Sequence, residues 1–341
     1  MAEASSIASQ DSLVSDVFVP HPWFRNAHAQ TLAGNFQSRH NLLPRAEDRL
    51  FQVEPEAQIL CHCHWQPDRA GRMTVVIVHG LEGSSDSRYV IGTGSKAWQR
   101  GWNVVRMNMR NCGGTESLTP TLYHSGMSSD VGAVVRALIQ QDGLQQIALA
   151  GFSMGGNLVL KLTGEWGTDA PPQLKAAVGI SPAIDLSISA DTLHNRENRL
   201  YEWKFMRGLR SRIRRKAKLF PGRYDLRFLK GVKTIREFDN EITARYSGFT
   251  SADDYYARAA ASKVVDRIAI PTLVIHAQDD PFIRMTEASR EKLRHNPHID
   301  FIETAQGGHC AFLAAPNGRG DDGRWAEKRL IAFIAGVEGK R

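Results

Sequence analysis

Apolar residues in this 341-residue chain gather in short unbroken runs, separated by stretches where they recur every three or four positions. The run at 73–79, MTVVIVH, is β-branched and shows no polar alternation before its end. A strand covered on both faces, as in a parallel sheet, reads that way. Weaker runs of the same kind fall at 102–108, 145–150, 175–181 and 271–276, and 298–304 is the candidate last strand. Helical stretches fall between them, near 87–100, 126–141, 154–166, 286–295 and 323–337. This alternation predicts an α/β fold with a doubly wound, mostly parallel sheet.

One gap breaks the rhythm. From 182 to 270 the chain is rich in charge and aromatics. It is expected to form an inserted helical lid, at about 185–262, over the carboxyl ends of the strands, where open α/β sheets bind ligands. Residues 1–16 are polar and are expected to be a disordered tail, leaving 17–341 as one domain.

The segment LAGFSMGGNLVL, 149–160, crowds three glycines around one serine between two apolar elements. Gly151-Phe152-Ser153-Met154-Gly155 matches G-x-S-x-G, and it sits between a predicted strand and a predicted helix. That turn holds a serine strained at the top of the sheet, backed by a helix N-terminus. The glycines leave room where a Cβ would clash.

A serine hydroxyl needs a base, and the base needs an orienting acid. In this arrangement the chain order is serine, acid, histidine. Asp279 and Asp280 follow the strand at 271–276; Asp280, succeeded by proline and apolar residues, is the preferred acid, with Asp279 as a turn residue. Three histidines come later. His295 and His298 flank Asn296-Pro297 and read as surface residues, whereas His309 lies in a glycine-bearing loop, AQGGHCAF, after the last predicted strand. His309 is the candidate base. The oxyanion formed on attack needs preorganised N–H donors. The backbone of Met154 and that of Leu81, in the loop His79-Gly80-Leu81-Glu82-Gly83, are the candidates.

With these residues in place, further motifs narrow the picture. HPWFRNAHAQTLAGNF (21–36), NMRNCGGTE (108–116), LYHSG (122–126) and HAQDDPF (276–282) resemble the YheT-type branch of the α/β-hydrolases. That branch includes plant embryogenesis-associated proteins and animal membrane-tethered lipases, and the resemblance covers about 20 to 335. It implies an α/β-hydrolase fold, a Ser153–Asp280–His309 triad and hydrolysis of lipid-like or small carboxylic esters. The animal members carry an N-terminal membrane helix; none is expected here, so no bilayer role is carried over.

Composition bounds the picture without redirecting it. At 42% hydrophobic and 23% charged, the chain is that of an ordinary globular protein. Four cysteines are too few for a disulfide framework, and no cationic n-region marks a signal peptide. A cytoplasmic location is expected. The net charge of +7 permits an acidic partner without requiring one. The segment 204–220 carries eight basic residues with apolar ones at roughly helical spacing. It reads as a solvated helix face packed on the core, with weak peripheral membrane contact as the alternative. No nucleic-acid module accompanies the charge. CHCH at 61–64 suggests metal, but strand alternation puts the cysteines on one face and the histidines on the other. Cys112 lacks a histidine to serve it. His124 would need an acid at 129 for an H-x4-D acyltransferase motif, and 129 is serine.

The expected function is therefore serine-dependent ester hydrolysis, without metal or cofactor. An acyltransferase using the same triad and a non-catalytic ligand-binding protein on this fold remain the alternatives. Trp203, Phe205 and Met206 are candidate lid residues toward an acyl chain.

Overall fold

The computed structural model describes residues 17–37, 39–316, 318 and 321–339; the tail expected at 1–16 lies outside them. The strands β1 (Glu47–Glu54), β2 (Ala57–His64), β3 (Met73–Val78), β4 (Asn103–Met107), β5 (Gln146–Phe152), β6 (Leu174–Ile180), β7 (Thr272–Ala277) and β8 (Ile299–Thr304) form one sheet. Its order is β1-β2-β4-β3-β5-β6-β7-β8. β1 and β2 run antiparallel to their neighbours, and the other pairings are parallel.

The β1–β2 hairpin lies outside the predicted strands, apart from the CHCH segment at its end. β1 is an edge strand in which only Phe51 is fully buried, so its apolar signal is weak. The central strands behave as their composition dictates. In β3, Met73, Val75 and Ile77 enter one core, while Val76 and Val78 enter the core on the opposite face. Helices cover both faces, which is what lets such strands be continuously apolar.

On one face, α2 (Arg88–Gln99) and α9 (Trp325–Glu338) bury Val90, Ala97, Leu330 and Ile334. On the other, α3 (Ser128–Asp142) and α4 (Met154–Trp166) bury Val131, Leu138, Leu158 and Val159. α8 (Glu287–His295) covers the β7–β8 side through Leu293. An additional helix, α1 (Ala27–Phe36), precedes the sheet; Asn26 caps it by accepting from the His28 and Ala29 N–H groups.

Between β6 and β7 the chain makes α5 (Leu186–Leu193), α6 (Arg199–Leu219) and α7 (Ala252–Ala259), with short helical pieces and a π-helical stretch, Asp239–Ala244, before α7. α6 is fastened to the loop after β4: the buried Lys216 ammonium donates to the Glu116 carbonyl at 2.9 Å and to that of Thr119.

Chain order reverses at β3 and β5. β4 lies on one side of β3 and β5 on the other, and Val78 at the end of β3 is paired with Gly151 of β5. Their two carboxyl-end loops are therefore neighbours at the topological switch point, the usual ligand crevice of such sheets.

Candidate active site

Ser153 sits between β5 and α4 with φ 54° and ψ −118°. A non-glycine residue at positive φ is strained, and such strain concentrates at functional positions. The turn exists because of its neighbours. A Cβ on Gly151 would lie 2.2 Å from the Gly155 carbonyl oxygen, and one on Gly155 would lie 2.3 Å from that of Val78. These contacts explain the crowded glycines: any side chain there would force the helix off the strand. The Ser153 side chain lines a cavity and has no hydrogen-bond partner among the described residues.

Asp280 follows β7 and is fully buried. One carboxylate oxygen accepts from the Phe282 and Ile283 N–H groups at 3.1 and 2.9 Å; the other is 2.7 Å from His309 Nδ1. Asp279 instead accepts from the Gly308 N–H at 2.9 Å and holds the loop that carries the histidine. Burial pushes the His309 imidazolium down, but the Asp280 carboxylate, with the Cys310 thiol behind it, outweighs burial and holds the pKa above its ordinary value.

His309 Nε2 faces the Cys310 thiol at 3.6 Å rather than the serine hydroxyl. Ser153 and the residue after the histidine nevertheless meet at one carbonyl. The Ser153 N–H donates to the Ile180 carbonyl at 2.9 Å, and Cys310 Sγ lies 3.7 Å from the same oxygen. Phe282, which lines the cavity beside Ser153, has its ring centroid 4.3 Å from that of the imidazole. Side-chain contacts of this kind are often loose without substrate.

The loop after β3 brings Leu81 to the same cavity as Ser153 and Met154. Among the described residues, neither the Leu81 nor the Met154 N–H donates to a protein group outside regular helix and strand bonding. The loop is braced from behind. The neutral His79 ring donates from Nδ1 to the Gly80 carbonyl at 2.8 Å, and its Nε2 accepts from the Met109 N–H at 3.1 Å. Burial lowers its pKa to about 4, which keeps it neutral.

The sequence reading missed several supporting residues. Thr31 and Gln30 on α1 reach across the chain to the histidine loop. Thr31 Oγ1 accepts from the His309 N–H at 2.9 Å, and Gln30 exchanges two hydrogen bonds with the backbone of Leu313, at 3.0 and 2.7 Å. No local pattern marks them, because their partners lie in a distant segment of the chain. Glu82 and Arg212 form a second brace. Arg212 on α6 donates from Nε to Glu82 at 3.0 Å, and Tyr123 donates to the same carboxylate at 2.8 Å. A Cβ on Gly208 would lie 2.1 Å from Glu82 Oε2, so glycine there admits the carboxylate.

Thr31→Val keeps the shape but removes the oxygen that receives the His309 N–H. kcat is expected to fall about ten- to a hundredfold through a misplaced imidazole, and Thr31→Ser is expected to restore it. Steady-state kinetics beside thermal melts of both variants check this; equal losses in the two would contradict it.

The cavity has an empty volume of about 940 Å³, including its open mouth. Its walls are mostly apolar, with Leu186, Phe205, Leu209, Ile213 and Phe238 from the insertion. Asp239 and His124 also line it. Burial raises the Asp239 carboxyl to about 6, although the Thr243 and Tyr256 hydroxyls donate to it, and burial lowers His124 to about 4. Of the expected lid residues, only Phe205 faces the cavity. Trp203 points outward, 58% exposed, and Met206 is packed in the core. Helical geometry places 203 and 205 about 200° apart, so both cannot face inward.

The other motifs have structural partners. Cys61 and Cys63 are buried in the core, while His62 bonds Asp48 at 2.5 Å and His64 accepts from Arg106 at 3.1 Å. Cys112 is buried, and burial pushes its thiol up to about 12. Asp130 pairs with Arg110 at 2.6 and 2.7 Å.

Residues 74–316 match the family described as alpha/beta hydrolase fold. The chain is 32% identical over 316 residues to YheT of Escherichia coli (strain K12), covering 92% of each. The chain belongs to the YheT-like α/β-hydrolases. This hydrolase is also 28% identical to the phospholipase ABHD3 of Mus musculus, over 88% of this chain and 74% of that one. It is 26% identical to a monoacylglycerol lipase of Saccharomyces cerevisiae, over 76% of this chain and 58% of that one. Among solved structures, the Pyrococcus furiosus esterase Pf2001 aligns with a TM-score of 0.55 at 14% identity, over 85% of this chain and 91% of that one. That likeness is one of fold.

Proposed function

We propose that this α/β-hydrolase is a serine esterase acting on carboxylic esters with an apolar acyl group. The observation that carries the reading is the Asp280–His309 pair, 2.7 Å apart, together with a serine strained at φ 54° that lines an apolar cavity. Relatives named as a phospholipase and a monoacylglycerol lipase support a lipid-like ester.

In the proposed reaction the Ser153 side chain turns toward His309. Nε2 takes the hydroxyl proton as Oγ bonds the ester carbonyl carbon. The Leu81 and Met154 N–H groups receive the oxyanion, stabilised further by the N-terminus of α4. The carbonyl re-forms, the C–O bond to the alcohol breaks, and His309 returns the proton to the departing alkoxide. Water then attacks the acyl-enzyme through the same base, releasing the acid and free serine. Asp280 fixes the imidazole with Nδ1 protonated and stabilises its charged form.

The inserted helices are proposed as a lid whose inner face selects the acyl group. Each buried methylene contributes about 0.8 kcal/mol, so a cavity walled by Phe205, Leu209 and Ile213 favours longer chains until it is filled. On p-nitrophenyl esters, kcat/KM is expected to rise at least about tenfold from acetate to octanoate. Equal rates on the two would remove the acyl pocket from the account, and no hydrolysis of any ester would remove the esterase reading itself.

A further inference from the structure

α6 has two faces, and only the inner one belongs to the cavity. The outer face holds Arg199, Trp203, Lys204, Arg207, Arg214 and Lys218, all exposed. At 3.6 residues per turn they share an arc of roughly 140°. Among the described residues, none of these five cations pairs with a carboxylate. Elsewhere on the surface Arg236, Arg245, Arg258 and Arg294 each hold an acid, whereas these five cations are gathered on one helix face without one.

Apolar groups stand among the charges. Leu200 is 68% and Trp203 58% exposed. The Arg207 guanidinium lies 5.6 Å from the Trp203 ring centroid, a cation–π contact at the surface. Beside the indole runs a shallow groove lined by Arg199, Arg207, Arg210, Arg214 and Lys233. Its carboxylate, Glu202, is already engaged by His194 Nδ1 at 2.9 Å and the Ile235 N–H at 3.1 Å. Against four arginines and a lysine the groove sets this one carboxylate, so its net charge is positive.

Exposed tryptophan and leucine among unpaired arginines, on a helix whose other face is buried, fit the boundary of an anionic bilayer. The apolar groups enter the headgroup layer while the guanidinium groups meet phosphates. An acidic protein or a nucleic acid would satisfy the arginines, but the exposed Leu200 and Trp203 among them favour a partner that offers an apolar layer beneath its anions. We infer that the outer face of α6 docks on anionic phospholipid membranes, with phosphate headgroups in the groove beside Trp203. The inference deepens the esterase reading, because the same helix walls the cavity through Phe205 and Leu209, so the docked enzyme draws its ester from that surface.

Flotation of the full chain carrying Ser153→Ala tests docking without turnover. The vesicles are pure phosphatidylcholine, or equal parts phosphatidylcholine and phosphatidylglycerol. Binding is expected on the anionic vesicles alone, weakening with added salt. Arg207→Glu with Arg214→Glu should lower it by about thirtyfold or more, and Trp203→Asp should also lower it. With Ser153 intact, the same surface variants should hydrolyse a soluble p-nitrophenyl ester within about twofold of the parent. Absence of binding, equal binding to neutral vesicles, or binding indifferent to the arginine reversals would overturn the inference. So would retention on polyglutamate or tRNA through these arginines without vesicle binding. If vesicles bind but no ester is cleaved, the esterase reading fails and the docking surface stands.

Discussion

Ser153→Ala is expected to lower ester hydrolysis by about 10⁴-fold or more, since loss of a serine nucleophile in a triad costs up to about 10⁶ in kcat. The residual rate would come from the oxyanion donors and substrate binding. The fold should be unaffected. The side chain makes no hydrogen bond that alanine would forfeit, and alanine occupies φ 54° at the same strain as serine. Ser153→Gly separates chemistry from strain. It is equally inactive, but glycine accepts positive φ freely, so its melting temperature should rise by the few degrees that about 1 kcal/mol supplies. Parallel kinetics and melts read both effects. An alanine variant that unfolds would show that the serine is held for structure rather than chemistry.

Asp280→Asn should cost nearly as much, about 10⁴-fold in kcat at neutral pH. The Phe282 and Ile283 N–H groups fix one oxygen of Asp280, so an asparagine at this position would turn its NH₂ toward His309 Nδ1. The imidazole would then carry its proton on Nε2, where the base is needed. The pH profile provides an independent readout. Activity requires the neutral ring, and the carboxylate holds the imidazole pKa above its ordinary 6.5 despite burial. The acid limb of kcat/KM in the parent should therefore lie above pH 6.5, with activity rising as pH rises through it. Removing the negative charge lets burial prevail, so the limb of Asp280→Asn moves to lower pH. An unmoved limb would mean that another group titrates. Asp279→Asn, which loses only part of its hold on the Gly308 N–H, should leave the limb in place.

What could be read in the sequence was whatever has a local signature. Strands buried on both faces, such as β3 and β5, announce themselves as apolar runs, and the elbow at Ser153 is compressed into five residues whose glycines answer clashes of 2.2 and 2.3 Å. Asp280 and His309 were legible because chain order and position after a strand select them. The edge strand β1 was not, since one buried residue carries little periodicity, and β2, whose burial does alternate, was read only at its CHCH end. Nor were Gln30, Thr31, Glu82 and Arg212. Their partners are other segments of the chain: Thr31 meets His309 across 278 positions, and Arg212 meets Glu82 across 130. Such contacts leave no spacing to detect. Trp203 shows a further limit. Apolar character marked it for the cavity, but the rotation of α6, fixed by Met206, Leu209 and Ile213 in the core, turned it to the surface.

The central claim is that Ser153, made nucleophilic by His309, forms the acyl-enzyme. Mass spectrometric mapping of the site modified by a fluorophosphonate on the native protein examines it most directly. The phosphonyl group should be found on the peptide bearing Ser153, and labelling should vanish in Ser153→Ala and drop sharply in His309→Ala. Modification of Cys310 or another residue instead, or a folded native protein that the probe leaves untouched, would contradict the account.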